Sequence, residues 1–210
     1  MKRISIFVIS ALACAAMFLM SCRDGRDTIE TMYNGFMTGQ TDANGHISVL
    51  KDDFGRKYTV KDESDKLKPD TAYRMVASIV IDDDNTARII QKVPAMSYIA
   101  PEDSIVPDTM RVKDPIEIIS HYIGGGYLNL HLGILVKNES SEHSLFYTHL
   151  DTPGKLKFTV YHNAYGDTQV YTKYAYISIP LSGYGLAKND TVFLSAKGYK
   201  EDYDLKLIYK

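Results

Sequence analysis

Downstream of residue 30, apolar and polar side chains take turns along the chain, and a two-residue period dictates extended strands with one dry and one wet face. Leu156, Phe158 and Val160 alternate with Lys155, Lys157, Thr159 and Tyr161, and Leu128, Leu130, Leu132 and Ile134 alternate with Tyr127, Asn129 and His131. A third ladder holds Ala175, Ile177 and Ile179, ended by Pro180, which has no N–H to give. Val192, Leu194 and Ala196 form another, and Tyr203, Leu205, Leu207 and Tyr209 the last. With 116–121 and 144–149 added, about seven strands follow residue 112. Sixteen Tyr and seven Phe against no Trp suit pleated, half-buried surfaces.

A second set precedes these. Segments 36–41 and 46–51 flank Asn44-Gly45, which accepts positive φ and suits a tight hairpin turn. Phe54-Gly55 makes the next reversal before 56–60, and 72–82 and 86–93 are separated by Asp83, Asp84 and Asn85. Pro69-Asp70-Thr71 could cap a helix carrying Tyr73, Val76, Ala77 and Val80 on one side. The β-branched run Val76, Ile79, Val80, Ile81 favours a strand instead, which makes about five. Between the sets, Pro94, Pro101, Pro107 and Pro115 stiffen the chain, so 94–111 reads as a linker between domains at 35–93 and 112–210. The alternative is a long loop inside one large β domain.

The first residues speak to location. Lys2 and Arg3 precede an apolar run, Ile4 to Met20, which is short for a spanning helix and ends in small residues. The segment resembles a lipoprotein signal, because Leu19-Met20-Ser21-Cys22 matches the lipobox; an uncut anchor helix is the alternative. The resemblance implies a signal peptide at 1–21, acylation with palmitate-type chains at Cys22, and a tether and lead-in at 22–34. Each buried CH₂ contributes ~0.8 kcal/mol, so several acyl chains hold a protein on a membrane durably. The expected address is the cell envelope, on the outer membrane, with its face left open. Cleavage would also remove two positive charges from a formal net charge of -2.

The order of several motifs is similar to the NigD-like lipoproteins. The lipobox comes first, then Asp53-Phe54-Gly55-Arg56-Lys57-Tyr58 and Ala72-Tyr73-Arg74-Met75-Val76. Asp114-Pro115-Ile116-Glu117, Gly125-Gly126-Tyr127-Leu128-Asn129-Leu130 and His162-Asn163 with Gly166-Asp167 follow. The resemblance implies an all-β chain: a five-stranded OB-like barrel followed by an immunoglobulin-like, seven-stranded β-sandwich. It implies no catalytic residues and no cofactor, and associates the family with a bacteriocin operon. An OB barrel often carries a helix between its third and fourth strands, yet 61–70 is short and charged, so a helix-less or incomplete barrel is expected.

Site chemistry is sparse. His121 and His131 could lie on neighbouring strands, but zinc needs three or four converging ligands and no partner stands at ligand spacing. No catalytic or metal-binding residues are therefore expected, and surface histidines are. His143, His149 and His162 accompany no nucleophile elbow. Asp82-Asp83-Asp84-Asn85 lacks the distal glutamate of a calcium loop and reads as a hairpin turn. Gly124-Gly125-Gly126 precedes no helix and reads as a turn. Between Lys51 and Arg74 seven basic residues face six acidic ones, which argues against a nucleic-acid groove and leaves a protein or glycan ligand open. Tyr161, Tyr165, Tyr171, Tyr174, Tyr176 and Tyr184 suit either recognition or cross-strand pairing. Asp-Thr and Asp-Ser pairs at Thr28, Thr71, Ser104, Thr109 and Thr191 resemble O-glycosylation acceptors, with Ser104 and Thr109 in the expected linker. The expectation is a non-catalytic binding or assembly module on the envelope. The alternatives are an exported hydrolase or metal-dependent enzyme using His131 or His162, and a bacteriocin immunity or resistance factor.

Overall fold

The computed structural model describes residues 31–61, 66–82, 85–152 and 155–210. Strands β1 (Thr31–Thr41), β2 (Ile47–Asp52), β3 (Lys57–Val60), β4 (Ala72–Ile81) and β5 (Thr86–Pro94) close a barrel in the order β1-β2-β3-β5-β4. Only β3 and β5 pair in parallel; the other neighbours are antiparallel. This is the OB-like arrangement. Met37, Ile47, Leu50, Met75 and Ile79 fill the barrel, all buried. Segment 72–81 is a strand, as its β-branched run demands.

Closure is achieved without a helix among the described residues between β3 and β4. Leu67 packs on the barrel core instead, and its N–H donates to the Gly45 carbonyl at 2.8 Å. Three barrel turns share one construction. Asp42 and Asp52 each accept, through Oδ1, the N–H groups two and four residues on, and Gly45 and Gly55 take positive φ. Asp82 and Asn85, the latter with φ of 60°, repeat the backbone pattern, so Asp82 opens a turn, as expected of this segment. Short polar side chains that bond their own backbone are what such turns require.

The sandwich contains β6 (Glu117–Gly124), β7 (Tyr127–Val136), β8 (Ser144–Thr152), β9 (Lys155–Asn163), β10 (Tyr171–Pro180), β11 (Thr191–Ala196) and β12 (Tyr203–Ile208). Its sheets run β10-β7-β6 and β12-β11-β9-β8, with β9 and β11 parallel. Leu128, Leu130 and Leu132, with their cross-strand neighbours Ile177 and Ile179, face Phe158, Val192 and Leu194 in one core. Burying each such side chain contributes about 1.5–3 kcal/mol.

Residues 95–116, expected within or beside a linker, instead wrap the sandwich as a strap. Met96 bridges β10, and Glu102, Lys113 and Ile116 bridge His149, His162 and Gly198. The Tyr98 ring stacks on Tyr147 at 4.1 Å, and the buried Tyr147 hydroxyl donates to the Tyr98 carbonyl while accepting the Tyr98 N–H. Asp103 accepts from Thr148 and Tyr161 at 2.7 and 2.9 Å. Prolines lose a donor but keep an acceptor: the Pro101 carbonyl accepts a hydrogen bond from the His149 N–H, and the Pro115 carbonyl accepts one from His162 Nδ1. A proline-rich segment can therefore dock wherever its carbonyls are wanted.

Candidate functional site

Asp53 lies in the β2–β3 turn and Arg74 on β4, and together they meet the outer face of sheet β10-β7-β6. Arg74 Nη2 is 2.6 Å from Asp53 Oδ1 and 3.0 Å from Asn129 Oδ1, while Nε donates to Ser178 Oγ at 2.8 Å. Asn129 Nδ2 and the Tyr122 hydroxyl both donate to Asp53 Oδ2, at 2.9 and 2.7 Å. The Arg74 and Asp53 side chains are 4% and 3% exposed. The guanidinium lies 4.2 Å over the Tyr127 ring. Burial, then donation to Asp53, pushes the Tyr122 hydroxyl far above its ordinary range. A Cβ on Gly125 would stand 2.4 Å from Asp53 Oδ1, at a φ of +62°, so only glycine fits. Asp53, Arg74, Gly125, Tyr127 and Asn129 fall in the motifs at 53–58, 72–76 and 125–130, while Tyr122 and Ser178 lie outside them. Their shared task is a saturated joint, because a buried ion pair needs its remaining hydrogen bonds met.

The histidines divide. The register sets His121 opposite Leu130 and His131 opposite Ser120, so the two imidazoles do not converge. Among the described residues no group of three His, Cys, Asp or Glu side chains could hold a metal ion. His131 stacks on Tyr176 at 4.8 Å and leans on Tyr174 at 5.3 Å, its Nε2 buried without a partner. Burial holds its imidazole below the usual histidine value. His143 Nδ1 meets His162 Nε2 at 3.0 Å, His143 Nε2 meets Asp167 Oδ2 at 3.1 Å, and His162 Nδ1 meets the Pro115 carbonyl at 3.1 Å. All four ring nitrogens are engaged.

Beyond the joint, the same sheet face opens. The rung Glu117–Gly133–Tyr174 crosses β6, β7 and β10, and Tyr174 is 59% exposed. Gly133 itself is buried, since Thr172, Glu117 and Ile119 close over it, and a Cβ there would stand 3.1–3.4 Å from them. A cavity of about 300 Å³ adjoins it, bordered by Glu117, Leu135, Tyr199 and Glu201. Of the other tyrosines singled out, Tyr161 is committed to Asp103, Tyr171 and Tyr184 pack against the core, and Tyr165 is exposed at a positive-φ turn. Outward parity located Tyr174 and Tyr176. It carried no sign of Arg74, Asp53 or the His143–His162–Asp167 trio, whose members are far apart in the chain. A lone Arg within an apolar strand and an Asn inside a leucine ladder are the local signals that existed.

Ser104 and Thr109 are both exposed on two short 3-10 turns of the strap. Thr71 differs, since its hydroxyl donates to the Pro69 carbonyl. Cys22, the signal segment and Thr28 lie outside the described residues.

Residues 100–208 match the profile of the NigD-like C-terminal beta sandwich domain. Among solved structures, the chain is similar to a NigD-like immunity protein from Bacteroides caccae ATCC 43185, with TM-score 0.69 and 26% identity over 83% of this chain and 90% of that one. A protein described as toxin-related from Parabacteroides distasonis ATCC 8503 gives TM-score 0.69 and 21% identity, covering 86% and 94%, and shares the fold. A protein assigned as a lipoprotein from Bacteroides fragilis NCTC 9343 gives 0.62 and 11%, covering 86% and 99%, and shares the fold. No curated protein matches. The β-sandwich matched over half the chain, standing behind a five-stranded barrel, makes this chain a member of the NigD-like family.

Proposed function

We propose that this chain is a lipid-anchored cell-envelope protein that binds a protein or glycan partner without transforming it, and that it engages no nucleic acid. The observation that carries the reading is a contrast: the buried polar clusters are saturated, while on the same sheet face Glu117 and Tyr174 are exposed, each bordering a cavity. Tyrosine supplies flat contact area at low entropy cost. The lipobox at 19–22 supports acylation at Cys22, and the lipoprotein assignment of the Bacteroides fragilis neighbour agrees with a cell-envelope address; the outer membrane is the proposed membrane. Ser104 and Thr109, exposed on the strap, are proposed glycan acceptors.

Metabolic labelling with an alkyne fatty acid should mark the wild type and not Cys22→Ala, and equal labelling removes the anchor. Crosslinking in intact cells tests the face. Tyr174→Ala should lose a crosslinked partner that the control Ile208→Ala keeps; identical crosslinks in both overturn it. Intact-mass measurement without hexose increments removes the glycan.

A second reading follows from the Bacteroides caccae neighbour, described as an immunity protein. Immunity predicts that a deletion strain becomes sensitive to a bacteriocin of its neighbours. Unchanged sensitivity counts against it.

A further inference from the structure

The trio His143, His162 and Asp167 joins three connections at one end of the sandwich. His143 lies in the β7–β8 connection, Asp167 in the β9–β10 connection, and His162 ends β9 against the strap at Lys113 and Asp114. Its protons can be counted. Asp167 accepts the Lys137 and Thr168 N–H groups and is held far below the usual carboxylate range, first by Ser141 and then by Lys137, so it is an anion and His143 Nε2 must carry a proton toward it. The Pro115 carbonyl accepts only, so His162 Nδ1 carries a proton too. One proton is left for the 3.0 Å contact between the rings. Whichever ring holds it, the pair carries three protons and one positive charge opposite Asp167.

We infer that this trio is a proton-counted staple, which fastens the strap and both connections near neutral pH and releases them when acid adds a fourth proton. That proton comes from solvent and occupies the single ring lone pair in the trio, the acceptor of the inter-ring bond. Two N–H groups then face each other across a hydrogen-bond distance, and the bond becomes a repulsion between two cations. Other charges near the pair do not relieve it fully. Asp114 faces His162 but already accepts the Ala164 N–H at 2.7 Å. Glu142 and Lys173 border the cavity beside His143, Tyr199 borders the one beside His162, and Tyr171 lies toward Asp167 and Glu139. Burial, followed by the charge of His143, makes the fourth proton harder to add and places release below the ordinary histidine range.

The test is hydrogen exchange on the intact protein at about pH 7.5 and about pH 5, corrected for intrinsic rate. Segments 112–116, 137–143 and 163–170 should lose protection together by roughly ten-fold or more at the lower pH, with β7 still protected. Protection retained, or lost by one segment alone, or lost along with β7, overturns the proposal. His143→Gln keeps a hydrogen-bonding amide that cannot be protonated, so its acid step should vanish; a persistent step overturns the idea. Should that variant fail to fold, wild-type imidazole ¹⁵N spectra decide. Three ring N–H groups at the higher pH and four at the lower support the staple, and any other count sinks it.

Discussion

One sheet face of this molecule has two halves, built from the same strands at the same side-chain parity, and they end in opposite states. Toward the β6–β7 turn, Asn129 and Ser178 lie under the barrel and are tied to Arg74 and Asp53. Four residues on, Tyr174 and Glu117 flank a buried Gly133 and are themselves exposed. Parity chooses what points outward, and the barrel chooses what becomes dry. A polar group covered without a partner costs about 1–3 kcal/mol, so the covered half has to be a closed network while the open half need not be.

Breaking the closed half should be the most damaging change. Arg74→Ala leaves the Asp53 carboxylate buried without its cation and should lower unfolding free energy by about 3–5 kcal/mol, read from urea denaturation. A loss under about 1 kcal/mol would show that water already reaches the joint. The strap provides a second closed surface. Tyr147→Phe strands the Tyr98 N–H and carbonyl and should cost about 1–3 kcal/mol by the same measurement.

His131 sits at the boundary between the halves, and pH sharpens the contrast there. Its folded-state value is held below the ordinary one by burial, so the unfolded chain takes up the proton first. Stability is then fully present above about pH 6.5 and falls as pH drops through that region, levelling once the folded ring protonates. His131→Phe keeps a ring for the Tyr176 stack and should flatten the part of the slope that His131 contributes. An identical slope in the variant breaks the assignment. Tyr174→Ala, in the open half, should move stability by no more than about 0.5 kcal/mol in thermal melts. A larger loss would mean that the tyrosine supports the sheet and is not held out for a partner.

Much of the architecture was legible as period two. Leu128, Leu130, Leu132, Phe158, Ile177 and Val192 all turn inward as their alternation requires, and Asn44-Gly45 makes the turn its φ preference demands. The segment at 72–81 could be read either as helix or as strand, and β-branching decided it correctly. The strap was misread. Four prolines signal an extended, stiff backbone, but they do not say whether that backbone hangs in water or lies on a surface. Docking depended on Tyr147, Thr148 and Tyr161 far along the chain. The candidate face was half legible, through the outward parity of Tyr174 and Tyr176; the cavity beside Glu117, bordered by Tyr199 and Glu201, had no local signal.

The sequence by itself determined the strands, their inward faces and the barrel turns, because these depend on neighbours two to four residues away. Only the tertiary structure decided that Asp53, Arg74 and Asn129 form one joint, that His143, His162 and Asp167 share protons, and that one half of a sheet stays open. Those outcomes rest on contacts between residues 19 to 76 positions apart, whose meeting depends on closing the whole fold.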